Sequence, residues 1–170
     1  MKSAFLGFII VLSLLVISSC RHRSRAREIR GADVIILGMR LGQTRTDLLA
    51  IMPSMVCAGS LADSEFCSYF PGEADRKGRF RGVDRVRLGF RSGALKRIRL
   101  EYGEMLDVEF AALDGDIRSQ YGDKPMGSTP DSLFMEWRYD SVVVSLAPNR
   151  RPHWTREVTT YKPVLEIASP

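Results

Sequence analysis

The chain is poor in the residues from which catalytic and metal centres are built. It has two histidines, His22 and His153, and three cysteines, Cys20, Cys57 and Cys67. No CxxC pair occurs, and both histidines lie far from the Cys57 and Cys67 pair, so the spacing of a zinc site is missing. The histidines fall in segments that read as tether and loop, and no Ser/His/Asp order can be assigned. The nearest approach to a phosphate loop, Gly38-Met39-Arg40-Leu41-Gly42, lacks the Lys and Ser/Thr that grip a nucleotide. Asp114 and Asp116 stand two apart on a helix, do not share a face, and read as solvated charge. Asp131 and Glu136 have no partner at a recognisable acid–base spacing. A net charge of +5 is too small to make a nucleic-acid binder by itself. These shortages point to a protein that is not an enzyme and carries no cofactor, no metal and no nucleic acid.

Only one stretch is long and apolar. Lys2 supplies a short positive start, Ala4 to Ile17 are almost entirely apolar, and Ile17-Ser18-Ser19-Cys20 follows. A branched apolar residue, two small residues and a cysteine resemble the lipobox of bacterial lipoproteins. That resemblance implies a signal peptide over 1–19, acylation of the Cys20 thiol, cleavage before it and acylation of the new amine. Several acyl chains anchor stably where one is marginal. Two alternatives stay open, a plain signal peptide and a membrane-spanning anchor. The run from Ser3 to Ser19 is near the lower limit for spanning. Arg21, Arg23, Arg25, Arg27 and Arg30 follow it, and the positive-inside rule would hold them in the cytoplasm. The placement of Cys20 favours the lipoprotein. Residues 20–33 then form a lipidated tether whose arginines either touch anionic head groups or are simply solvated. Arg21, where some lipoproteins carry Asp, leans by resemblance toward the outer rather than the inner membrane, with the domain facing the periplasm.

With Cys20 lipidated, Cys57 and Cys67 form an even pair. Their flanks, Ser54–Cys57 and Phe66–Phe70, read as strands, so a disulfide would close a hairpin loop and imply an oxidising compartment. The alternative is two free buried thiols.

With 45% hydrophobic and 26% charged residues, the rest is globular. Val34–Leu37 reads as a short strand. Thr44, with Asp47 three residues on, reads as the capped start of a helix that Pro53 stops. Residues 72–82 read as a charged loop. Val86, Leu88 and Phe90 alternate with Arg85, Arg87 and Arg91, Ser92-Gly93 turns the chain, and Ile98, Leu100 and Tyr102 alternate with Arg97, Arg99 and Glu101. This predicts a hairpin with a solvated, arginine-rich face. Phe110, Leu113, Ile117 and Tyr121 fall at helical spacing over 107–121, with Gly122 as the cap. Strands return at Leu133–Tyr139 and Ser141–Leu146. A loop runs from Ala147 to Thr155. A last strand spans about Val158–Ile167 and reads as an edge because Pro163 interrupts it.

This order predicts an α+β fold of two helix-plus-antiparallel-sheet units in tandem, over 34–104 and 105–170, with the helices on one face of the sheet. Gly38-Met39, Thr44, Thr46-Asp47-Leu48-Leu49, Cys57 and Cys67 resemble the opening of a unit in secreted beta-lactamase inhibitory proteins. The same unit occurs singly in the small lipoprotein of the outer-membrane barrel-assembly machinery. The resemblance covers residues 38–67. It departs from the family where Arg40-Leu41-Gly42-Gln43 intervene before Thr44, and the second half has neither Gly-Met-Thr nor cysteines. It implies a binding protein. The expected role is a lipid-anchored envelope protein that binds another envelope protein in assembly or maintenance, through its exposed sheet face and loops. The alternative is an inhibitor of a periplasmic or secreted enzyme. Trp137 falls on the core phase of Leu133 and Met135. Arg150, Arg151, His153 and Trp154 are the candidate binding residues, since Arg and Trp dominate interface hot spots.

Overall fold

The computed structural model describes residues 34–61, 63–123, 125, 134–152 and 159–169. The leader, Cys20 and the tether lie outside them, as do His153 and Trp154. No helix among the described residues is long and apolar enough to cross a membrane.

The fold is α+β and mostly antiparallel sheet. Its elements, in chain order, are α1 (Arg45–Leu49), β1 (Val56–Leu61), β2 (Ser64–Tyr69), α2 (Glu73–Lys77), β3 (Val83–Arg91), β4 (Ala94–Tyr102) and β5 (Met105–Leu106), then α3 (Asp107–Tyr121), β6 (Met135–Tyr139), β7 (Val142–Ala147), β8 (Arg150–Pro152), β9 (Thr159–Tyr161) and β10 (Val164–Ala168). Seven strands form one sheet in the order β1-β2-β3-β4-β10-β7-β6, and β5-β9-β8 form a small second sheet.

Strict alternation along the strands sorts the large sheet into two faces. On the inner face Cys57, Cys67, Leu88, Ile98, Ile167, Val144 and Trp137 stand opposite one another, one from each of the seven strands. The parallel row Val86, Leu100, Leu165 and Leu146 is almost wholly buried. Leu48 and Met52 at α1, and Ile117 and Tyr121 from α3, join the same core. The helices therefore cover one face of the sheet.

Local chemistry explains the elements. Ser92 and Gly93 both take positive φ, as the two-residue turn of a tight hairpin requires. Thr44 caps α1 as expected, and Asp47 returns the bond to the Thr44 N–H at 2.9 Å. That N–H, with the Thr44 hydroxyl, holds the Asp47 carboxyl below the usual carboxylate range. Gly42 and Gln43 bond to Leu95, fixing the entry to α1 against the start of β4. At the end of α3, Gly122 takes φ +105 and its carbonyl accepts from Trp137 Nε1 at 2.8 Å. Trp137 lies in the core, as its phase predicted.

Four expectations are corrected. Val34–Leu37 is no strand. Ile36 and Met39 exchange backbone bonds across a tight turn, with Leu37 and Gly38 both at positive φ. The charged stretch 72–82 contains α2, held by the Tyr69 hydroxyl on Asp75 and by Arg76 on the Pro71 carbonyl. The last strand is two strands, and β10 is central, flanked by β4 and β7. Pro163 sits in the bend between β9 and β10, so its missing N–H leaves no gap in a ladder, while its carbonyl accepts from Tyr102. The loop from Ala147 likewise contains β8.

Burial, reinforced by Asp116, pushes the Tyr102 hydroxyl up from 10.0 to about 12, and burial also pushes Tyr121 up. A raised folded-state value means the fold keeps this stability below pH 10 and loses it as pH climbs toward 12. Tyr102 alone should remove on the order of 1 kcal/mol of unfolding free energy between about pH 8 and about pH 11. Urea unfolding at the two pH values measures this, and Tyr102→Phe should flatten the slope. An unchanged slope in that variant would show that Tyr102 is not the source.

Candidate functional site

The same alternation that fills the core sets the opposite face. Val56, Ser68, Arg87, Arg99, Glu166, Ser145 and Glu136 cross the sheet in one row. Ala58, Phe66, Gly89, Arg97, Ala168, Val143 and Arg138 cross it in the next. None of the described helices packs on these rows, so the face is open to solvent among the described residues.

Charge is organised here. Glu101, whose side chain is only 18% exposed, contacts Arg85, Arg87 and Arg99 at 3.5, 2.9 and 3.3 Å. Glu166 contacts Arg97 at 3.4 Å and Arg99 at 3.5 Å. Four guanidiniums thus share two carboxylates among the described residues, and Arg99 is common to both. Arg99 Nε is buried and makes no hydrogen bond, since its approach to Glu101 is an ion-pair contact outside bonding geometry. Arg138 pairs with Glu136 near the far edge.

Two shallow depressions flank this ridge. One, of about 350 Å³, is floored by Ser68 and Gly89 and walled by Phe66, Arg85, Arg87, Arg97 and Arg99. Glycine leaves the floor low: a Cβ on Gly89 would stand at ordinary contact distance, 3.4 Å from Arg97 Cβ and 3.6 Å from the Phe66 ring. The other, of about 380 Å³, has small and apolar residues such as Val143, Ala147, Val164 and Ala168, with Phe134 beside Glu136. Large apolar side chains lie open at the first end: Val56 is 69% exposed, Phe66 56% and Phe70 59%. The Arg85 guanidinium stacks over Phe70 at 5.2 Å.

A larger groove of about 600 Å³ lies on the helical side, between α3 and the segment 79–84. Its charges are mixed: Arg76, Arg79 and Arg81 are set against Asp84, Glu104, Glu109 and Asp116, and Arg76 pairs with Asp84 at 3.2 Å. Three cationic and four anionic side chains nearly balance, so the groove does not select a ligand by strong charge of one sign.

Cys57 and Cys67 are joined as a disulfide across β1 and β2. With Glu65 they form a cluster of potential metal donors. Both sulfurs are committed to the disulfide and Glu65 is held by Arg45 at 3.1 Å, so the cluster has no thiolate to offer. Asp114 is occupied by Arg118 one turn on, at 2.8 Å. Of the four candidate binding residues, Arg150 is exposed, bonds Thr159 at 3.3 Å, and borders a shallow cleft with Glu101 and Val164 at the rim of the outer face. Arg151 pairs with Thr160 in the small sheet. His153 and Trp154 lie outside the described residues.

The arginines at the centre of this face were visible in the sequence as one hydrophilic side of a hairpin. Their signal was the alternation of Arg85, Arg87 and Arg91, and of Arg97, Arg99 and Glu101, with apolar residues; the structure supplies the register that sets Arg87 opposite Arg99 and Gly89 opposite Arg97. What the sequence did not show was Glu166 arriving among them from β10. Compared with known protein families, with curated proteins and with solved structures, the chain matches none.

Proposed function

We propose that this chain is a lipid-anchored envelope protein that binds another envelope protein through the outer face of its seven-stranded sheet. The observation that carries the reading is an open sheet face on which arginine, exposed aromatic rings and shallow depressions coincide. Arginine and aromatic residues recur at binding hot spots, and here exposed Phe66 and Phe70 stand among arginines on one face. The anchor rests on Ile17-Ser18-Ser19-Cys20, and the disulfide favours an oxidising compartment such as the periplasm. The outer membrane is the preferred side, from Arg21. We read the architecture as two units, 34–104 and 105–170. In each, a helix precedes antiparallel strands, and the two last strands, β4 and β10, pair at the centre. The reading requires neither catalysis nor a cofactor.

The test is a photo-reactive side chain in the full lipidated chain, placed at Ser145 on the outer face or at Val108 on α3. In intact cells the Ser145 probe should trap a protein partner and the Val108 probe should not. A stoichiometric hydrolase trapped at Ser145 would favour the inhibitor reading over an assembly role. Trapping from Val108 alone would contradict the proposal.

A further inference from the structure

We propose that the outer face recognises an acidic stretch of its partner, with two carboxylates lodged over Gly89 and apolar side chains against Phe66 and Phe70. This rests on reading the face as the partner-binding surface. Around this depression four guanidiniums share two carboxylates, which leaves two positive charges unmatched. Each guanidinium has five N–H donors in a planar fork, and two carboxylates cannot occupy them all. Glu101 and Glu166 sit low on the sheet and hold the arginines from beneath, so part of the ordering cost is met before a ligand arrives. The buried, unbonded Nε of Arg99 lies in the same array.

Shape and apolar surface decide which anion fits. The positive charge lines a depression with a glycine floor rather than projecting from a convex rim, so it admits side chains better than a plane of lipid head groups. Phe66 borders it, Phe70 lies under the guanidinium of the lining residue Arg85, and both rings have more than half their surface open. A bare phosphate would leave those rings wet. An acidic peptide bearing aromatic or aliphatic residues covers the rings and neutralises the arginines together.

The experiment titrates the full chain in neutral detergent with a synthetic peptide of repeating Asp-Glu-Phe, and with its Asn-Gln-Phe counterpart. The acidic peptide should bind and the amide peptide should not. Arg97→Glu should weaken binding about tenfold or more, and Arg97→Gln by less, while Lys77→Ala, at an exposed position on α2, changes little. Arg97 is well exposed, so these variants should fold, and an unchanged melting temperature confirms it. Equal binding of both peptides, or indifference to Arg97→Glu, would overturn the proposal. So would Arg97-dependent retention on anionic over neutral vesicles, or competition by inorganic phosphate alone, without peptide binding. If the peptide fails but the Ser145 probe still traps a partner, only the acidic chemistry falls. If the Ser145 probe also fails, the binding face itself is refuted.

Discussion

Leu100→Ala is expected to cost about 3 to 4 kcal/mol of folding free energy. Leu100 is fully buried, opposite Val86 on β3 and Leu165 on β10. It stands where the strands of the first half meet those of the second. Truncation removes its apolar surface from the core and leaves a cavity that two flanking strands, each fixed by its own ladder, cannot close. For a chain of this size the loss corresponds to roughly 10 °C in Tm. Because one sheet crosses both halves, far-ultraviolet dichroism and tryptophan fluorescence should fall in one transition, in the wild type and in the variant. A loss below about 1 kcal/mol, or two separated transitions, would contradict a single core spanning β4 and β10.

The second large effect concerns the disulfide. Cys57 and Cys67 are ten residues apart and directly opposite on neighbouring strands. Closing a loop of that length stabilises by about 3 kcal/mol through the unfolded chain. The position adds a local role. Among the described residues β1 is an edge strand of the large sheet joined to β2 alone, and it carries the exposed Val56. The covalent link holds that edge in register and limits fraying, which would bare its backbone to other chains. Cys57→Ser should therefore lower Tm by roughly 10 °C without reductant. With reductant, wild type and variant should melt nearly together. An equal gap with and without reductant would refute the disulfide as the cause and assign the effect to packing at Cys57.

Local chemistry made some elements legible in the sequence. The hairpin of β3 and β4 was readable because Val86, Leu88, Ile98 and Leu100 alternate with arginine across a Ser-Gly turn. The third helix was readable from Phe110, Leu113, Ile117 and Tyr121, although Phe110 and Leu113 are only half-buried. Thr44 and Asp47 announced α1 because a capping box is satisfied within three residues. Elements fixed by distant partners were hidden. A run of four apolar residues, Val34 to Leu37, looked like a strand, yet Leu37 and Gly38 turn it. α2 is too short to show helical period, and its anchors on Tyr69 and Pro71 are tertiary. Pro163 suggested an edge because the sequence could not show that the bend between two sheets falls on it. For the binding face, each arginine could be assigned to a side of its strand. The depression over Gly89 needed the register of β2, β3 and β4 together, and Glu166 from a strand much later in the chain.

The most direct test of the whole account is the intact mass of the protein extracted from membranes, before and after reduction and alkylation. The account predicts a chain that starts at Cys20, carries added acyl mass, and gains two alkyl groups only after reduction. An uncleaved chain whose thiols alkylate without reductant would contradict it. The domain would then lie in the cytoplasm behind a membrane-spanning anchor, and the disulfide, the periplasmic partner and the lipid anchor would be lost together.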